Sequence, residues 1–86
     1  MKSFIASIKF ENGNDTDIAI IGNAIENQLF GKKGLRSKIF LNDSKGDFLV
    51  ETNAGLQALS ATIRRAAEKV GKKYSFTIIR DKIYYN

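Results

Sequence analysis

The chain has 86 residues, of which 43% are hydrophobic and 27% charged, with a formal net charge of +5. This length holds one hydrophobic core, so we expect a single domain over residues 1–86. Cysteine and histidine are both absent, which excludes disulfides, metal sites built on thiolate or imidazole ligands, and catalysis by either side chain.

The N-terminal segment does not match a secretion signal. Lys9 and Glu11 interrupt its apolar residues before a signal-peptide core is complete. A membrane-spanning helix needs about 18 consecutive apolar residues, and no stretch of the sequence approaches that length. We therefore predict a soluble, cytoplasmic protein.

A strand and a helix are predicted first. Residues 2–11 alternate with a period of two, which indicates a strand with one buried face. Its core-facing residues would be Phe4, Ala6, Ile8 and Phe10. From about Asp17 to Phe30, apolar residues recur at helical spacing, and Asp15 or Thr16 can cap the start. The apolar stripe consists of Ile18, Ile21, Ile25 and Leu29.

Two more strands follow, joined by a polar turn. Residues 37–41 (SKIFL) are short, partly β-branched and bounded by turn residues. Residues 42–46 (NDSKG) have the length of a hairpin turn, and residues 47–52 (DFLVET) alternate again. The core-facing residues of these two strands would be Ile39, Leu41, Phe48 and Val50.

The strongest pattern in the chain is an amphipathic helix within residues 53–73. Asn53 can cap its start, and Gly71 suits a left-handed stop. Its apolar side would carry Leu56, Leu59, Ile63, Ala66, Ala67 and Val70. Residues 74–79 predict a fourth strand, and residues 80–86 either extend it or fold back as a short fifth strand.

The resulting order, β-α-β-β-α-β, predicts an α+β fold. The simplest arrangement that buries both helical stripes is a ferredoxin-like two-layer sandwich, with four antiparallel strands in the order 4-1-3-2 and both helices on one face. In the fourth strand, Phe76 and Ile78 would complete the core-facing set.

The face of the sheet opposite the helices is predicted to be unusually apolar. An apolar cluster across adjacent strands suggests a partner, such as a second copy of the chain, another protein, stacked nucleobases or the chain's own tail. The candidate protein-interface residues are Ile5, Phe40, Leu49, Ile79 and Tyr85.

Positive charge is concentrated in the later part of the chain. Residues 1–30 sum to −2, whereas residues 31–86 sum to +7. This asymmetry favours a polyanionic partner, because each cation brought to a phosphate releases condensed counterions. The segment without an acidic neighbour between Glu26 and Asp43 supplies four candidate phosphate contacts, Lys32, Lys33, Arg36 and Lys38.

Three cations on the second helix are further candidates, namely Arg64, Arg65 and Lys69. Arginine pairs with phosphate bidentately. Adjacent helical residues point about 100° apart, so at most one of the two arginines would lie at the centre of a contact. The alternative is a solvated helix face, with Glu68 paired to Arg64 or Arg65 at helical spacing.

Two short segments resemble parts of RNA-binding domains. Residues 31–34 (GKKG) resemble the GxxG loop with which KH domains clamp a nucleic-acid backbone, but strand-like SKIFL follows where a KH domain has a helix, which favours a glycine turn. Residues 45–50 (KGDFLV) resemble the RNA-contacting strand of an RNA-recognition motif. Its two outward aromatic positions are occupied by Asp47 and Leu49 here, which disfavours base stacking in that mode.

No arrangement of side chains indicates catalysis. The nine acidic residues fall mostly in turns or beside basic residues, and no base is placed next to a potential nucleophile. We therefore predict a small non-catalytic module, either nucleic-acid-binding or regulatory, without metal or cofactor. It would bind DNA or RNA through its basic surface or, alternatively, another protein or a second copy of itself through the open sheet face.

Overall fold

A computed structural model describes residues 2–30, 37–42, 46–52 and 54–80 of the chain. For Lys2, Phe30 and residues 37–42 it describes the backbone alone. The elements in chain order are β1 (Lys2–Phe10), α1 (Asp15–Ile25), a π-helical segment (Glu26–Phe30), β2 (Ser37–Asn42), β3 (Asp47–Thr52), α2 (Leu56–Val70) and β4 (Tyr74–Arg80).

Strand β1 lies at the centre of the sheet, between β3 and β4, and is antiparallel to both. Its Ile5 is paired with Leu49 of β3 and with Ile79 of β4. The backbone of β2 runs antiparallel along the other side of β3, with Phe40 opposite Leu49. The strands thus follow the order β2-β3-β1-β4, which is compatible with the predicted sandwich.

One apolar core joins the sheet to both helices. Even-numbered residues of β1 and β3 supply its sheet side, as the period-two pattern predicts, and the side chains of Phe48 and Val50 are fully buried. The helices contribute the buried residues Ile18, Ile21, Ile25, Leu29, Leu59, Ile63, Ala66 and Ala67. Phe10, Phe76 and Ile78 pack against this core but are only partly buried. An α+β fold with an antiparallel sheet and two helices is therefore confirmed.

Helix α1 begins at Asp15, two residues before the predicted start, because its N-cap is Asn14. The Asn14 side chain accepts a hydrogen bond from the backbone N–H of Asp17 (3.0 Å), and Asp17 in turn accepts one from the backbone N–H of Asn14 (3.1 Å). This reciprocal capping satisfies two backbone donors at the helix start. It compensates for isoleucines, which are weak helix formers.

Helix α2 is shorter than the amphipathic pattern indicates. Its N-cap is Gly55, which makes no side-chain capping bond, so the prediction of Asn53 as the cap is wrong. Leu56, the first residue of the helix, was expected on the buried side but is 49% exposed. The predicted stop is confirmed, since Gly71 adopts a left-handed conformation with φ of +80°.

The tail at residues 81–86, including Tyr85, lies outside the described residues. Both predicted paths for it, an extension of β4 and a fifth strand, therefore remain predictions. The turn at residues 43–45 and the GKKG segment at residues 31–34 lie outside them as well.

Candidate nucleic-acid interface

A groove of about 440 Å³ runs between the outer surfaces of the two helices. Side chains of α1 and the π-helical segment form one wall, and side chains of α2 form the other. Its lining contains two cations and three carboxamides but no carboxylate. The lining residues are Ile20, Asn23, Ala24, Asn27, Gln28, Thr62, Arg65, Ala66 and Lys69.

The basic wall of the groove consists of Arg65 and Lys69. These residues are four apart on α2, which places them on the same side of the helix. Both are exposed, and neither makes an ion pair within the described parts of the chain. Arg64 is exposed too but does not line the groove. Glu68 forms no salt bridge with Arg64 or Arg65, so the predicted pairing of Glu68 with one of these arginines is wrong.

The opposite wall carries the carboxamides of Asn23, Asn27 and Gln28. Asn23 and Asn27 are four residues apart, and Gln28 follows within the π-helical segment Glu26–Phe30. A π-helix has a wider turn than an α-helix; it is rare, and where it occurs it often lies at a functional site. Among the residues that the structure describes, none of the three carboxamides has a hydrogen-bond partner.

The floor of the groove is apolar. It is formed by Ile20, Ala24 and Ala66, and Ile20 is 39% exposed. The hydroxyl of Thr62 donates a hydrogen bond to the backbone carbonyl of Ala58 (2.8 Å), so its proton is already used within α2. A ligand in the groove would thus meet cations on one side, amides on the other and aliphatic carbon beneath.

Lys72, just after the C-terminal end of α2, is paired with an acidic side chain of α1. Lys72 Nζ lies 2.6 Å from Asp17 Oδ2 and donates a second hydrogen bond to the backbone carbonyl of Asn12 (3.0 Å). The hydrogen bond from Lys72 holds the pKa of Asp17 below its ordinary value, and the bond from the Asn14 backbone acts in the same direction against partial burial. The Lys72 ammonium group is therefore already bonded within the protein, where it links the end of α2 to α1.

A second depression, of about 560 Å³, lies where β1 ends and α1 begins. It is larger than the groove, but its charged lining consists of Lys9, Asp15 and Asp47. Two carboxylates against one ammonium repel a polyanion at short range. The groove between the helices is the better site for phosphate.

The structure brings together only part of the predicted basic site. Arg65 and Lys69 share the groove, whereas Lys32, Lys33 and Arg36 lie outside the described residues. Lys38 is placed by its backbone alone, opposite Glu51 of β3. The role of these four cations stays a prediction.

The predicted protein interface occupies one transverse row of the sheet. Phe40, Leu49, Ile5 and Ile79 are successive register partners across the strands. Ile5 and Leu49 are half-buried and Ile79 is 59% exposed, while Ser3, on the same face, is only 2% exposed. The open face is thus most accessible toward β4. Asp47 and Leu49 also lie on it, where an RNA-recognition motif would present aromatic rings.

Sequence reasoning missed the three carboxamides of the groove. A usable signal was present, because Asn23 and Asn27 have helical spacing and lie off the isoleucine stripe of α1. The pattern does not show which side of α1 faces α2, so it could not connect these amides with Arg65.

Comparison with protein-family models, curated proteins and solved structures finds no match for the chain. Within the described ranges, no helix combines the length and the apolar character needed to cross a membrane. The same ranges contain no group of three or more acidic side chains arranged to hold a metal ion. A functional proposal therefore depends on the chemistry of the groove and the sheet face.

Proposed function

We propose that this chain is a small, non-catalytic nucleic-acid-binding module of the cytoplasm. The observation that carries the proposal is the groove between α1 and α2, in which Arg65 and Lys69 meet three carboxamides with no carboxylate in the lining. The proposed scaffold is a ferredoxin-like βαββαβ sandwich. The strand pairings and the single core shared by both helices support it.

Phosphate binding by the groove follows from its electrostatics. Arg65 and Lys69 are exposed and have no ionic partner in the described parts of the chain, so binding a phosphate would break no existing salt bridge. Each phosphate that they neutralise would release condensed counterions. Additional contacts are proposed for the cations that lie outside the groove or outside the described side chains, namely Lys32, Lys33, Arg36, Lys38 and Arg64.

The test is a salt titration of oligonucleotide affinity with a matched pair of variants. Arg65→Gln and Arg64→Gln remove the same charge from neighbouring exposed positions of one helix, but only Arg65 lines the groove. We expect Arg65→Gln to reduce the slope of log K against log salt by about 0.7 for a single strand, and Arg64→Gln to reduce it less. If Arg65→Gln and Arg64→Gln gave the same slope of log K against log salt, the groove would not be the phosphate-binding site.

A second proposed function is protein interaction through the open sheet face. The aligned row across the strands favours it, because it ends in Ile79, which is 59% exposed. Ile79→Asp should abolish assembly and leave the fold intact, as judged from solution mass and circular dichroism. A wild-type protein that stays monomeric at high concentration and retains no partner in a pull-down would argue against this function.

A further inference from the structure

The shape of the groove bears on which nucleic acid it can bind. Duplex DNA is read by a convex element, usually a helix, that enters the major groove. Here the cations and carboxamides line a concavity between two helices, so the nucleic acid must supply the protruding part. Unpaired bases of a single strand protrude in this way and expose their hydrogen-bonding edges.

We propose that the groove takes an unpaired nucleotide of a single strand, and that the carboxamides of Asn23, Asn27 and Gln28 contact the edge of its base. Arg65 and Lys69 hold the adjoining phosphates from the opposite wall. This inference rests on the proposed nucleic-acid-binding function and adds to it the strand state of the ligand and a source of base preference.

The carboxamides suit a base edge because each offers both kinds of hydrogen-bonding group. Arginine and lysine side chains only donate, whereas an Asn or Gln side chain has an acceptor oxygen and two N–H donors. The hydroxyl proton of Thr62 is already bonded to Ala58. None of the three carboxamides is occupied by another residue that the structure describes, so all three are available to a ligand.

The groove volume and floor fit one nucleotide. The volume of the groove, about 440 Å³, lies within the range found for sites that hold small organic ligands. No aromatic side chain lines it, so the base is not held by stacking on a ring. Ile20, Ala24 and Ala66 provide an aliphatic surface for the flat face of the base, and discrimination falls to the carboxamides. Adenine, which pairs bidentately with Asn or Gln, is the expected favourite.

The experiment compares single-stranded homopolymers of each base with a mixed-sequence single strand and its duplex. The proteins are the wild type, the double variant Asn27→Ala with Gln28→Ala, and Arg65→Gln. The control is Gln57→Ala, which removes an exposed carboxamide outside the groove. We expect the single strand to bind about tenfold more tightly than the duplex, and the adenine homopolymer to bind best. Circular dichroism verifies folding, and Asn23→Ala provides a second carboxamide variant.

The two kinds of variant should separate the two roles. In the variant Asn27→Ala with Gln28→Ala, the affinities for the homopolymers should lie within about twofold of one another. The slope of log K against log salt should stay unchanged. Arg65→Gln should lower the slope and preserve the ranking, and Gln57→Ala should change neither. Duplex binding as tight as single-strand binding, or a ranking unaffected by the carboxamide variants, would overturn this inference alone. Failure of every probe to bind would overturn the proposed function as well.

Discussion

Helices α1 and α2 pack against the same core but are stabilised in different ways. Helix α1 is rich in β-branched isoleucine and has a reciprocal cap between Asn14 and Asp17 at its start. Helix α2 consists mostly of strong helix formers, lacks a side-chain cap at Gly55 and ends at a left-handed Gly71. Burial and capping can therefore replace intrinsic propensity, which makes α1 the helix that depends more on tertiary contacts.

The largest effect is expected in the core side of α1. Ile21 is fully buried, whereas its neighbour Ile20 is 39% exposed. Ile21→Ala should reduce the free energy of unfolding by about 2–5 kcal/mol through lost burial and a residual cavity. Ile20→Ala should change it by less than about 0.5 kcal/mol. Urea denaturation measures both, and similar losses for the two variants would show that the assigned buried side of α1 is wrong.

The next effect concerns the end of α2. Gly71 has a φ of +80°, and a Cβ added there would meet no atom within 4 Å. Gly71→Ala should therefore cost about 1–2 kcal/mol from backbone strain alone. Thermal or urea unfolding would reveal the loss. A variant as stable as the wild type would mean that α2 does not need its left-handed stop.

The link between the helices should make stability depend on pH. Lys72 lowers the pKa of Asp17 in the folded protein, so the unfolded chain binds the proton more readily. The stabilisation is complete above the unfolded pKa, near the ordinary 3.8, and is lost as the pH falls through the lower folded pKa. Asp17→Asn should be less stable than the wild type at neutral pH.

Urea midpoints measured between neutral pH and about pH 2 check this expectation, because the difference between wild type and Asp17→Asn should shrink toward the acid end. Lys72→Met is a useful companion, since it removes the same ion pair from the side of α2. A difference that is constant with pH would contradict the lowered pKa of Asp17 in the folded protein.

The smallest effect is expected at the start of α2. Gly55 has the extended conformation of an N-cap, and a Cβ added there would meet no atom within 4 Å. Gly55→Ser should stabilise the protein by a few tenths of a kcal/mol by supplying the missing capping bond. Opposite signs for Gly55→Ser and Gly71→Ala would sharpen the contrast between the two ends of one helix. A destabilised Gly55→Ser would indicate that this start does not accept a side-chain cap.

Local patterns in the sequence determined much of the fold. The period-two alternation of β1 and β3 predicts which of their residues face the core, and the stripe in α2 predicts Leu59, Ile63, Ala66 and Ala67 as buried. These predictions succeed because strand pleat and helix pitch depend on neighbours within a few residues. The left-handed stop at Gly71 succeeds for the same reason.

Tertiary structure alone decided which polar groups meet. Lys72 gives Asp17 an ionic partner that sequence spacing does not specify, since the two residues are 55 positions apart. The groove likewise sets Asn23 of α1 and Asn27 of the π-helical segment opposite Arg65 and Lys69 of α2. A sequence pattern shows which side of each helix is polar, but how the two polar sides are set against each other depends on packing over the shared core.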